Sequence, residues 1–155
     1  LIDGKAFALV SDPTRPIGAP VRDSDVPDIR LAPLDEAAKK LKASAQAYET
    51  AYNARAAAGL AFAPAQQQEI NALMGRMEQA LSDNDGLPGR PWFQHMIYAP
   101  GMLTGYEVKT VPGVREALEA RRWDEANRFA GVTARTLDGY RQQLDQLTAL
   151  LKKPS

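Results

Sequence analysis

Apolar residues recur at helical spacing on both sides of a long stretch that has no such repeat. From Leu34 they fall at Ala38, Leu41, Ala45, Tyr48 and Tyr52, at spacings of 4, 3, 4, 3 and 4. That spacing forms one stripe of a bundle-type helix. The first helix is expected from Pro33 to about Ala58. Proline suits a first turn, Asp35 and Glu36 complement the positive helix end, and Gly59 supplies a stop. The second is expected from Pro64 to about Leu81, with Ile70, Leu73, Met74, Met77 and Leu81 on its face. Its methionines read as gap-fillers in a core. Gly75 costs about 1 kcal/mol against alanine, so a close helix contact is expected there. A short third helix follows Pro112, from Gly113 to about Arg121, with Val114, Ala117 and Leu118 inward. The fourth runs from about Trp123 to Leu151 on a stripe through Ala126, Thr133, Leu137, Tyr140, Leu144 and Leu147. At 1.5 Å per residue it would be roughly 40 Å long.

Between the second and third helices lies Ser82 to Val111. Pro88, Pro91 and Pro100 fix φ and remove backbone donors, which prevents a helix. Long loops in compact domains are functional or disordered, and disorder goes with few aromatics. This one holds Trp92, Phe93, Tyr98 and Tyr106 with Met96, Ile97, Met102 and Leu103, so it is expected to be ordered and packed. Strand alternation is weak throughout. The predicted class is all-α: an up-and-down four-helix bundle, or three helices if the short one is left out, with a long ordered loop between helices two and three. Residues 31–155 form that domain. Leu1 to Val10 reads as the frayed end of a helix. The stretch to Arg30 carries Pro13, Pro16, Pro20 and Pro27 and reads either as a linker or as an extended arm on a neighbouring surface.

The length, 155 residues, suits one domain with a real core. Basic and acidic residues balance at 19 each, which gives no electrostatic reason for a nucleic-acid or anionic-membrane partner. No apolar run approaches the ~20 residues of a membrane span. The chain begins Leu-Ile-Asp, which reads as a fragment or a processed product. Cysteine is absent and histidine occurs once, at His95. A catalytic zinc usually takes three protein ligands, commonly with two or more histidines, and no such cluster is visible. No serine lies in a G-x-S-x-G context, and Gly86, Gly89, Gly101 and Gly105 do not form a phosphate-cradling loop. The pairs Asp83/Asp85, Glu116/Glu119 and Asp124/Glu125 read as turn or exposed-helix residues, and His95 as a hydrogen-bonded structural residue. The residues themselves nominate no catalytic group and no metal ligand.

The loop also carries a motif. Gly86-Leu87-Pro88, Arg90-Pro91, Trp92-Phe93, His95, Ile97-Tyr98-Ala99-Pro100, Tyr106 and Pro112-Gly113 together resemble a segment of the glutamate carboxypeptidase and transferrin receptor family. The segment belongs to that family's C-terminal helical domain, the transferrin receptor-like dimerisation domain. The likeness is dense from Gly86 to Leu118, is supported by the helix order from Leu34 to Leu151, and is absent before Arg30. It implies a homodimer-forming four-helix bundle attached to an M28-type zinc peptidase. Two zinc ions and a catalytic glutamate would sit in a separate protease domain, the partner of this one. Residues 1–30 would be the end of that domain and a connecting arm. A periplasmic or extracellular parent is implied as well.

In the glutamate carboxypeptidase branch a Lys-Tyr pair follows the Tyr-Ala-Pro motif and lines the pocket for a C-terminal glutamate. The lysine meets the side-chain carboxylate, and the tyrosine meets the α-carboxylate. Counted from Tyr98-Ala99-Pro100, the tyrosine is Tyr106 and the lysine position is Gly105. The resemblance therefore implies a substrate-binding Tyr106 without its lysine, unless Lys109 replaces the charge. Read without the resemblance, Tyr106 is a packed loop aromatic. Arg90, Trp92, His95, Tyr98 and Pro100 are structural members of the motif. The transferrin receptor branch implies a different function, a receptor-like protein-binding module without peptidase activity.

Overall fold

The computed structural model describes residues 27–59 and 61–153, with Ala6, Asp12 and Thr14 besides. The helices are α1 (Ala32–Ala57), α2 (Pro64–Met77), α3 (Pro112–Glu119) and α4 (Trp123–Lys152), and a 3-10 turn, Glu78–Leu81, continues α2. The all-α class holds, with one addition in the loop. Two strands of three residues, β1 (Tyr98–Pro100) and β2 (Val108–Thr110), pair antiparallel with Ala99 opposite Lys109. Three residues are too short for an alternation to show in sequence.

Helix α4 is the shared wall. α1, α2, α3 and the 3-10 turn all pack on it. A helix apolar around much of its girth belongs inside, and α4 buries Phe129, Ala130, Val132 and Thr133 at one end and Leu144, Leu147, Leu150 and Leu151 at the other. Two cores result. In one, Ile70, Leu73 and Met77 of α2 meet Leu144, Leu147 and Leu150, with Leu41 and Tyr48 of α1 at the edge. In the other, Leu87, Met96 and Ala99 from the loop join Val114 of α3 and Phe129 and Ala130 of α4. The loop is thus ordered by burial, as its apolar content predicts.

Which faces are buried differs from expectation in several places. α1 turns Leu34, Ala37, Leu41, Ser44, Tyr48, Ala51 and Arg55 inward, while Ala38 and Ala45 are exposed and Tyr52 is 52% exposed. Both sets fit a 3–4 spacing, and the true one includes a serine and an arginine, so hydropathy favours the wrong set. Arg55 is buried because it caps the C-terminus of α4. It donates to the carbonyls of Leu151 (3.0 Å) and Lys153 (2.8 Å), and to that of Ala61 (2.9 Å) beyond the end of α1. A cation among terminal carbonyls satisfies both hydrogen bonding and the helix dipole. Met74 is 54% exposed rather than part of the α2 face.

Gly75 makes no close contact either, since a Cβ there would meet nothing within 4 Å. The close approach is at Gly113, where a Cβ would enter the Phe129 ring. Of the amino-terminal arm, the Arg30 amide donates to Asn127 Oδ1 of α4 at 2.8 Å. Apart from Ala6, Asp12 and Thr14, residues 1–26 lie outside the described residues, and the expectations for that stretch with them. Among the described residues no helix is long and apolar enough to cross a membrane.

Two glycine substitutions should separate these environments. Gly75→Ala has room and gains helix propensity, so it should stabilise the chain by roughly 0.5–1 kcal/mol. Gly113→Ala overpacks the core and should cost about 1–3 kcal/mol. Urea unfolding measures both, and equal effects would contradict the packing described.

Candidate functional site

From the end of the 3-10 turn the chain folds back on itself. The Met96 amide donates to the Leu81 carbonyl at 2.9 Å, Asp83 to Gln94 at 2.9 Å, and Leu87 to Phe93 at 2.9 Å. Gly86 closes this lap with φ of +65°, and a Cβ there would collide with the Pro91 backbone. Only glycine combines that dihedral with that approach.

Arg90 sits inside the lap, 5% exposed. Its Nη2 lies 2.9 Å from both carboxylate oxygens of Glu116 on α3, its Nη1 donates to the Pro100 carbonyl, and the Phe93 ring centre is 5.3 Å away. Glu116 Oε1 also accepts the Met102 amide at 2.9 Å. One ion pair thereby fastens the lap, β1, the hairpin and α3 together. Glu116 is not the exposed-helix carboxylate expected of it, since its side chain is only 11% exposed. Gly113, Glu116 and Ala117 share the inner face of α3, and that spacing was the available signal.

His95 lies against the 3-10 turn that continues α2. Its Nδ1 accepts the amides of Ile97 (3.3 Å) and Tyr98 (3.2 Å), which leaves the proton of the neutral ring on Nε2, 3.2 Å from Glu78 Oε1. The Tyr98 hydroxyl donates to the same oxygen at 2.9 Å, and the two rings lie 4.0 Å apart. Hydrogen bonding to the Glu78 carboxylate pushes the Tyr98 pKa above its ordinary value.

The hairpin between β1 and β2 projects from this base. The Gly101 amide reaches the Glu107 carbonyl at 3.0 Å, and Gly105 turns the tip at φ of +65°. Lys109 lies along Gly101 and donates from Nζ to Glu119 of α3, whose other oxygen is 3.1 Å from Arg115 Nε. Bonding to Lys109 first, and to Arg115 next, holds the Glu119 carboxyl below its ordinary range against some desolvation. Lys109 is therefore directed at α3, with its side chain only 13% exposed.

The tip is different. Leu103 is 95% exposed, Tyr106 is fully exposed, and Trp92 stands out at the edge of the lap. Leu103, Tyr106 and Trp92 do not order the loop by burial; Leu87, Met96 and Ala99 do, with Phe93 packed against them. Tyr106 is not a packed loop aromatic. Pro100 gives its carbonyl to Arg90 and ends β1. Beneath the tip a cavity of about 240 Å³ opens between the hairpin and α3, lined by Met102, Leu103, Lys109, Glu116, Glu119 and Ala120, with Arg122 at its side. Among the described residues no cluster of three or more His, Asp or Glu could hold a metal ion.

Residues 29–145 match the transferrin receptor-like dimerisation domain. The chain belongs to that family. The loop motif therefore pointed to the right family, and self-association is the property its description carries. Over 52 residues the chain is 42% identical to a probable glutamate carboxypeptidase of Arabidopsis thaliana, covering 34% of this chain and 8% of that protein. Over 54 residues it is 39% identical to a probable glutamate carboxypeptidase of Arthroderma benhamiae, covering 35% and 7%. Over 48 residues it is 35% identical to an inactive zinc metalloprotease of Schizosaccharomyces pombe, covering 31% and 6%. The matched part is less than a tenth of the length of each of these relatives.

The dimerisation domain's clamp is open to direct test. Arg90→Met leaves Glu116 buried without its cation and should cost about 3–5 kcal/mol. Arg90→Met with Glu116→Leu should recover most of that loss. Urea unfolding of the two variants checks it; a single substitution costing under about 1 kcal/mol would contradict the burial described.

Proposed function

We propose that this chain is the non-catalytic dimerisation module of a glutamate carboxypeptidase-like zinc peptidase, and that its hairpin contributes to the substrate pocket of the parent. On this reading residues 1–30 are the end of the protease domain and a connecting arm. The two zinc ions and the catalytic glutamate belong to that protease domain, of M28 type. Residues 31–155 form an up-and-down four-helix bundle, a reading supported by the packing of α1, α2 and α3 on α4.

One observation carries the pocket assignment. The hairpin is fastened at its base by a buried ion pair, yet it holds Leu103 and Tyr106 in solvent. An ordered apolar tip is suited to contact with another surface. On this reading the exposed Tyr106 hydroxyl donates to the terminal carboxylate of the substrate. From Gly101 to Val108 the chain has no basic residue, and Lys109 is bonded to Glu119. The parent therefore recognises a free C-terminus without a strong preference for glutamate.

The full-length protein should be assayed on dipeptides ending in glutamate, leucine or alanine. A hydrogen bond to a charged group is worth about 1.5–3 kcal/mol, so Tyr106→Phe should lower kcat/KM roughly 10- to 150-fold. Its melting temperature should not move, since Tyr106 is fully exposed. A strong preference for glutamate, or an unchanged kcat/KM, would overturn the assignment.

Self-association is tested by sedimentation equilibrium. The full-length protein should be a homodimer, and the isolated chain a weaker, concentration-dependent one, because obligate interfaces bury more than about 2,000 Å². A full-length protein monomeric at every concentration would refute this.

The relative named as an inactive zinc metalloprotease supports a second reading, a receptor-like helical binding module without peptidase activity. Zinc analysis of the full-length protein discriminates the two.

A further inference from the structure

The cavity under the hairpin tip, about 240 Å³, is smaller than the ~300–1,000 Å³ of sites that enclose a whole small molecule. It has the scale of one side chain. Its mouth is apolar, formed by Met102 and by Leu103, which is 95% exposed. Its inner wall is charged, but the charges are matched. Lys109 is bonded to Glu119, which also meets Arg115 at 3.1 Å. Glu116 holds Arg90 at 2.9 Å, and Arg122 meets Glu125 at 2.8 Å.

Each class of occupant meets a different environment. An entering carboxylate would have to displace Glu119 from Lys109, against the repulsion of Glu116 and Glu119. An entering ammonium would have to displace Lys109 from Glu119, against the repulsion of Lys109 and Arg122. A neutral apolar side chain faces neither conflict and covers Met102 and Leu103.

We propose that this cavity receives the side chain of the substrate's C-terminal residue and selects an apolar one, and that Glu119 sets the selection by holding Lys109. The inference rests on the reading that the hairpin faces the substrate. The Lys109 stem lies along Gly101, where a Cβ would be 3.2 Å from Cε, and its ammonium is held at this wall by Glu119. Remove the Glu119 charge, and the ammonium at this wall is left to an incoming carboxylate.

The test uses the full-length protein and the ratio of kcat/KM for dipeptides ending in leucine and in glutamate. If turnover is absent, the ratio of Kd for N-acetyl-leucine and N-acetyl-glutamate serves instead. The native ratio should favour leucine at least about tenfold. Glu119→Gln should lower the ratio about tenfold, chiefly by improving the glutamate ligand. Leu103→Ser should weaken the leucine ligand alone. Lys109→Met breaks the same ion pair without freeing a cation, so it should leave the glutamate ligand no better; improvement there would mean a merely structural effect and overturn the proposal. Tyr106→Phe should weaken both ligands equally. If it does so while Glu119→Gln and Leu103→Ser leave the ratio unchanged, the selectivity proposal is overturned and the substrate-facing hairpin stands. If none of the variants changes either ligand, both are overturned.

Discussion

The geometry of the loop depends on the pair formed by Arg90 and Glu116. Thirty residues without a helical ladder must still satisfy their backbone polar groups where they are buried. This pair does so for a carbonyl and an amide that lie on either side of Gly101, those of Pro100 and Met102. Burying two charges is costly, and a well-packed apolar pair in their place is often as stable. What an apolar pair lacks is direction. A planar guanidinium facing a carboxylate fixes both orientation and distance, so the hairpin leaves α3 at a defined angle. The pair is better understood as a device of position than as a source of stability.

That position is referred in turn to α4. The lap buries Leu87 and Met96 against Phe129 and Ala130, and Gly113 lets α3 lie directly on the Phe129 ring. The opposite end of the same helix carries the core shared with α2, and Arg55 closes its terminal carbonyls. A single helix thus aligns the hairpin with the bundle. Both cores are built on one helix.

The fold was legible where local signals were redundant. Proline at each of the first three helix starts and sustained 3–4 spacing place all four helices within a few residues of their observed ends. The inner face of α1 was not legible, because Ala37 and Ala38 are equally apolar and the half-buried Ser44 is more polar than the exposed Ala45. Glu116 was misplaced for a different reason. Its partner is 26 residues away, and a lone sequence shows no such pairing. Aromatic content signals an ordered loop, but of the aromatics only Phe93 packs on the core beside Leu87, Met96 and Ala99, while Trp92 and Tyr106 face solvent. The family was readable because its motif lies in the lap, where glycine and proline positions are dictated by backbone geometry. Lys109 and Glu119 were beyond reach, since their pairing requires the hairpin register that sets Lys109 opposite Ala99.

The substituted position at the tip shows how backbone and chemistry are joined. In the pattern the loop resembles, a lysine stands where this chain has Gly105. Around Gly105 there is open space, so bulk does not exclude a side chain. The dihedral disfavours it: at φ of +65° a residue with a Cβ is strained by about 1–2 kcal/mol. Glycine at this position therefore changes two things together. It removes a cation from the tip, and it permits the turn by which the Gly105 amide reaches the Gly101 carbonyl at 3.1 Å. The same turn presents Leu103 and Tyr106 to solvent and leaves Lys109 on the side of the hairpin that meets Glu119. A lysine at this position would have to adopt the same left-handed backbone, at φ of +65°. On the reading proposed above, an apolar preference at this site follows from the path of the chain as much as from the loss of one charge.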